Sequence, residues 1–150
     1  MAQSSGFKDP GFRGAGSNTY IVSNGQEIRI DQGWAARRGH QVFVLNERTG
    51  EVVDKTAFDT WSGGDGAAAA RQMTTFLEGV AQGRIIAIVV QDTGDTRVNL
   101  APYGSTITQL GPRESYAMIT QKGATPSWFV EQKSAQGAGP TIVETTIPAG

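Results

Sequence analysis

Arg84 to Gln91 reads RIIAIVVQ, a nearly continuous apolar run. A strand of that kind is apolar toward both faces, so it predicts a central strand covered on both sides. The helix that can cover one side lies just upstream. Ala69, Ala70, Met73, Phe76, Leu77 and Val80 recur at helical spacing and define one buried face. Gly63-Gly64-Asp65-Gly66 precedes it as a loop, with Ser62 or Asp65 as the expected N-cap and Gly83 as the expected C-cap residue.

The other strands follow from alternation and turns. Thr19 to Ser23 and Gln26 to Asp31 flank Asn24-Gly25, the preferred centre of a two-residue hairpin turn. Val42, Val44 and Glu51 to Ala57 form a second strand pair around Glu47-Arg48-Thr49-Gly50. Ser115 to Gln121, Trp128 to Gln132 and Thr141 to Ile147 read as three more strands. Leu100, Tyr103, Ile107 and Leu110 suggest a second, shorter helix ending at Gly111, with Pro102 restricting its start. The order predicts an α+β fold, sheets with helices packed on one side. Residues 1–17 read as a Gly-rich N-terminal arm and 18–150 as one domain. Such an arm should be disordered alone, so a neighbouring subunit or a tight intramolecular path must hold it.

Composition removes several function classes. The 150 residues suffice for one core, and no apolar stretch approaches the ~18 residues of a membrane span. Membrane insertion is therefore not expected. Residues 1–16 lack the apolar core of a secretory signal peptide. With no cysteine, disulfides and thiolate metal sites are excluded, and His40 alone cannot build a multi-histidine metal site. A net charge of −1 without a basic block does not favour nucleic acid. No cofactor is expected. Gly63-Gly64-Asp65-Gly66 lacks the G-K-[ST] ending of a phosphate loop, and Asp92 with Asp95 offers too few ligands for a hard cation.

A series of short motifs then narrows the reading. In order they are Arg38-Gly39-His40-Gln41-Val42-Phe43-Val44-Leu45-Asn46, Thr49-Gly50-Glu51-Val52, Phe58-Asp59-Thr60-Trp61, Val90-Gln91-Asp92, Leu110-Gly111 and Arg113-Glu114-Ser115-Tyr116-Ala117. From Gln26 to Gln136 the chain resembles the interleukin-like EMT inducer domain family. That family includes secreted cytokine-like proteins, domains of hyaluronan-processing proteins, and the glycan-binding stem domain of protein O-mannose N-acetylglucosaminyltransferase. The resemblance implies two antiparallel β-sheets with short helices packed on one side. It also implies that the sugar-holding groups of the glycan-binding member fall on Arg38, Asp92 and Arg113. Glu114 stands where the family usually has Asp, and the cysteines of the secreted members are absent.

Sugars present flat apolar faces ringed by hydroxyls that donate and accept. Two guanidinium forks, one carboxylate and an aromatic platform match that surface. Trp61 or Trp34 is the expected platform. An Arg–Asp–Arg cluster at strand ends also serves as a plain structural ion-pair network. Asp59 is expected to cap or pin the turn before the helix, Trp61 and Trp128 also suit a core or an interface, and His40 reads as a surface or packing residue. A glycosidase would need two carboxylates at a set separation, a chemistry the family does not supply. The leading expectation is thus a non-catalytic, lectin-like carbohydrate-binding domain, its ligand a glycan or polysaccharide. The alternative is a structural or decoration protein of a viral or other large assembly, docked by residues 1–17. A bacteriophage virion protein, assembled in a bacterial cytoplasm and touching host surface glycans, would satisfy both.

Overall fold

Strand β6, Ile85–Asp92, is buried at all eight positions. In the computed structural model, which describes residues 1–10, 19–30, 38–107 and 109–148, the rest of the chain is arranged around it. Strand side chains alternate between faces. Ile86, Ile88 and Val90 therefore enter one apolar cluster, while Ile85, Ala87 and Val89 enter another. β4 (Gly39–Leu45) lies antiparallel on one flank of β6, and β5 (Val52–Phe58) lies beyond it. β7 (Ser115–Gln121) lies antiparallel on the other flank, followed by β8 (Val130–Ser134).

Each face of this layer has its own cover. Helix α1, Gly66–Glu78, sets Ala69, Met73 and Leu77 against Val42, Ile86 and Ile88. These helix residues fall four apart, so one stripe of the helix is buried. The opposite face packs Phe43, Leu45 and Ile119 against Ala2, Ile21 and Val143. Those partners come from β1 (Ala2–Gly6), β2 (Tyr20–Ser23) and β9 (Thr141–Val143), with β3 (Gln26–Ile28) at the edge. The β2–β3 turn is Asn24-Gly25 with both φ values positive, 54° and 74°, as its sequence requires.

The fold is mostly β with one α-helix among the described residues, and its sheet is mixed. This differs from the two antiparallel sheets expected. Ser5 and Gly6 of β1 pair in parallel with Gln91 and Asp92 of β6, which joins both layers into one nine-stranded sheet among the described residues. β1 also corrects the arm. Ala2 to Gly6 are buried, paired with β2, β9 and β6 of their own chain. The strand reads AQSSG and has no apolar alternation, so only tertiary hydrogen bonds make its burial affordable. Ser4 Oγ donates to the Val90 carbonyl at 2.5 Å and accepts the Tyr116 N–H at 2.8 Å. The Ser5 N–H reaches Thr19 Oγ1 at 3.2 Å, and that hydroxyl donates to Gln91 Oε1 at 2.6 Å. Residues 11–17 of the expected arm lie outside the described residues.

Two helix expectations also change. The helix ends at Gly79 rather than Gly83. Lys122 Nζ donates to the carbonyls of Leu77 and Glu78 at 2.6 and 3.0 Å, and so closes the C-terminus from outside. At the other end Asp65 holds the N-cap position without a side-chain capping bond. The second helix is only a 3-10 turn, Ala101–Tyr103, ended by Gly104 in a left-handed conformation. Leu100, Tyr103 and Leu110 still reach the helix-side core. Their spacing seats an irregular loop on that core rather than specifying a longer helix.

Candidate functional site

The C-terminal end of β6 is where the expected site residues meet. Asp92 is the last residue of β6, and Gly39 of β4 pairs with Gln91 beside it. Gly39 has φ of +97°, and a Cβ there would collide with the Phe58 carbonyl and stand 2.5 Å from the Thr60 nitrogen. That close approach brings Arg38 alongside Asp59. Arg38 Nε and a terminal nitrogen donate to the two Asp59 carboxylate oxygens at 2.9 and 2.6 Å, a bidentate pair. The same guanidinium carbon lies 4.3 Å from the centre of the Trp61 ring, which is 38% exposed. The Asp59 bond holds the guanidinium pKa up, against desolvation.

Arg113, on the other side of Asp92, shares with Arg38 the contact to an aromatic ring. Its N–H donates to Thr93 Oγ1 at 2.9 Å, just past Asp92. Its guanidinium carbon lies 4.3 Å from the centre of the Phe7 ring, 42% exposed. Phe7 is fixed by its own N–H, which donates to the Asp92 carbonyl at 3.0 Å. Gly6 allows this approach, since a Cβ there would collide with the Arg113 carbonyl oxygen. Asp9 finishes the turn by accepting the N–H groups of Gly6 and Gly139 at 2.8 and 2.9 Å.

Asp92 sits between the two arginines. Its residue is 5% exposed. Burial pushes its pKa up, while the charges of Arg38 and Arg113 pull it back. Asp92 and Arg113 both adopt left-handed backbone, with φ of 66° and 60°. Asn24, in its hairpin turn, is the other described non-glycine residue with positive φ. Left-handed backbone costs about 1–2 kcal/mol per L-residue, and such strain concentrates at functional sites.

The loop above is tied down as well. The Ser62 N–H and hydroxyl donate to Asp95 at 3.0 and 2.6 Å, and the Thr96 N–H reaches the Thr60 carbonyl at 2.8 Å. His40 is fully buried beneath, its Nδ1 2.6 Å from Thr60 Oγ1, and desolvation lowers its pKa to about 4. It is a neutral packing residue. No group of His, Asp and Glu able to hold a metal occurs among the described residues.

Arg38, Asp92, Arg113 and Trp61 are thus brought together, whereas Trp34 lies outside the described residues. Two contributors were not assigned from the sequence. Phe7 is one of the few large apolar residues of the N-terminal segment, and nothing near it in the chain marks Arg113 as its partner. Asp59 stood in a motif and was given only a turn role. Its bond to Trp61 N–H, at 3.4 Å, is minor beside its grip on Arg38. A separate cleft of about 370 Å³ opens at the far end of β4 and β6, between Ile21, Leu45, Ile85, Ile119 and Ile147. It shares no residue with the arginine site.

The architecture is that of a mostly β domain with paired arginines at one end of its sheet, and the chain belongs to the interleukin-like EMT inducer family. The family model matches residues 38–124, a narrower span than 26–136, and includes Arg38, Trp61, Asp92 and Arg113. Among known proteins the chain is similar to Protein FAM3C of Homo sapiens, 38% identical over 93 residues, or 57% of this chain and 39% of that protein. Protein FAM3C of Rattus norvegicus and of Bos taurus are 34% and 33% identical over the same extents. The chain therefore spans well under half the length of the curated relatives it matches.

Proposed function

We propose that this domain binds carbohydrate without chemical change, at Arg38, Asp92 and Arg113. The observation that supports this most is Asp92 itself. It is a strained, largely buried carboxylate flanked by two guanidinium groups, each laid on an exposed aromatic ring. The two arginines are balanced by Asp59 and Asp92, so the site suits neutral hydroxyls better than a strong anion. The aromatic rings hold the guanidinium planes, whose N–H groups then meet sugar oxygens in a fixed fork.

Catalysis is not part of the proposal. Glycoside hydrolysis would need a second carboxylate facing Asp92. Asp59 is clamped by Arg38. Glu114 turns back to accept the Gly111 N–H at 2.5 Å and pairs with Lys133 at 3.3 Å. Docking to an assembly through residues 1–17 loses part of its motive, because Ala2 to Gly6 are already paired within their own sheet. Nothing in the fold or its relatives favours display on a virion.

The test is a glycan array, in monovalent and multivalent formats, with wild type, Arg38→Ala and Arg113→Ala, all checked by circular dichroism. We expect wild-type binding that both folded variants lose. A folded wild type that binds no glycan in either format would overturn the reading.

A further inference from the structure

From two charges that the fold leaves uncompensated, we infer that a groove beside the arginine site binds an anionic group of the glycan, so that the ligand is an acidic polysaccharide. This rests on the carbohydrate reading above and names the class of sugar chain. One wall of the groove is α1, where Ala67, Ala70, Arg71 and Thr74 share a stripe at helical spacing. The other wall is the segment after Asp95, which contributes Thr96, Arg97 and Asn99. One arginine therefore stands on each wall. The groove adjoins Trp61, the ring beneath Arg38. The Thr96 N–H donates to the Thr60 carbonyl at 2.8 Å. Gly66, the first residue of α1, is wedged between the Trp61 carbonyl and Thr96. A Cβ there would stand 2.7 Å from the carbonyl oxygen and collide with the Thr96 hydroxyl.

Charge sets this groove apart. Arg29, Arg38, Arg84 and Lys133 each hold a carboxylate, at 2.6 to 3.4 Å. Arg71 and Arg97 are exposed, and among the described residues neither has such a partner. Asp95, the carboxylate nearest to Arg97 along the chain, is held by the N–H and hydroxyl of Ser62. Two guanidinium forks facing one groove suit a carboxylate or a sulfate. The Thr96 hydroxyl and the Asn99 amide add polar groups for sugar oxygens beside it. Asn99 Oδ1 already accepts the Ala101 N–H at 3.2 Å, which leaves the amide nitrogen to donate. Among the described residues no aromatic ring lines the groove, so nucleic-acid bases find no stacking platform there. Two cations on a chain of net charge −1 are also too few to hold a phosphate backbone. At the arginine site Asp59 and Asp92 balance the guanidinium charges, so recognition of the acidic group falls to the groove.

Calorimetric titration in low salt with matched probes tests this: oligogalacturonate and oligomannuronate, each beside its carboxyl-reduced form, and sulfated beside unsulfated dextran oligosaccharides. We expect an acidic form to bind about tenfold tighter than its neutral match, the scale of two exposed ion pairs, and added salt to erase the difference. Arg71→Gln/Arg97→Gln, with folding checked by circular dichroism, should bring the ratio close to one. Arg48→Gln removes one charge from the turn at the far end of β4 and should leave the ratio in place. A ratio that survives the double exchange, or that Arg48→Gln reduces as much as Arg71→Gln does, would overturn the inference. So would oligoglutamate binding as tightly as the acidic sugars, because the groove would then read charge alone. Equal binding of acidic and neutral forms, or binding to neutral glycans only, would overturn it and leave the carbohydrate reading standing. Absence of binding to every probe and to the glycan array would overturn both.

Discussion

The two ends of strands β4 and β6 differ in how their backbone and charge are treated. At the Leu45–Ile85 end, a cleft lined by aliphatic side chains is rimmed by turns that their own sequences favour. Asn24-Gly25 is one such turn, and a Cβ on Gly25 would meet nothing within 4 Å. Asn46 organises the next by accepting the N–H groups of Arg48 and Thr49 at 2.8 and 3.0 Å. At the Gly39–Asp92 end, two non-glycine residues are left-handed and a carboxylate is buried with only part of its charge compensated. Backbone segments also approach closely enough to exclude a methyl group. A fold tolerates such costs where its surroundings over-determine the geometry, and here they coincide with the residues proposed to bind ligand. The end with the aliphatic cleft is the relaxed one, so that cleft and the stored strain lie at opposite ends of β4 and β6.

The sharpest way to break this contrast is a glycine exchange at each end. Gly39→Ala combines a forbidden φ with a backbone collision and should cost at least about 3 kcal/mol in urea unfolding. A cost below about 1 kcal/mol would mean that β4 and the Phe58–Thr60 segment do not approach as described.

Acid should weaken the polar end next. The folded pKa of His40, about 4, lies below its ordinary 6.5, so the unfolded chain binds the proton more readily. Stability from this group is complete above pH 6.5, falls as pH drops, and is lost by about pH 4. The loss amounts to about 3 kcal/mol for a shift of that size. Asp92 titrates in the opposite sense, since its raised pKa makes the ionised form costly and protonation relieves that cost. Unfolding measured from pH 7.5 to 4 in wild type and His40→Gln isolates the histidine, whose removal should flatten the slope. An unchanged slope would place the acid sensitivity elsewhere.

Smaller effects sharpen the link between strain and binding. Arg113→Gly frees a left-handed residue worth about 1–2 kcal/mol and loses an exposed cation–π contact worth about 0.5–1 kcal/mol. A net gain of about 1 kcal/mol in urea unfolding, together with loss of glycan binding, is expected. Destabilisation instead would show that Arg113 is held for structure. Gly25→Ala, at the relaxed end, meets only the φ penalty and should cost about 1 kcal/mol, the reference for the Gly39 exchange.

Much of the fold was legible because burial leaves a local period. The run at β6, the stripe of α1, the Asn24-Gly25 hairpin and the seven residues of β7 each carry their pattern within a few positions. The 100–110 segment shows the limit. Its apolar spacing recorded burial correctly, but Pro102 and the left-handed Gly104 restrict the helix to one turn. At the site, the motifs singled out Arg38, Asp92 and Arg113, while the partners that orient them stayed hidden. Asp59 follows Arg38 by 21 positions, and Phe7 meets Arg113 from the far end of the chain.

The sequence by itself determined the central strand, the helix face that covers it and the turns between strands, since each depends on side chains close together along the chain. Only the tertiary structure decided that AQSSG is an internal strand, that both layers join through it, and that Phe7 lies beneath Arg113. The physical reason is that small polar residues carry no period of their own. Ser4 is buried because a hydroxyl can bridge the Val90 carbonyl and the Tyr116 N–H, and those partners are 86 and 112 residues away until the chain folds.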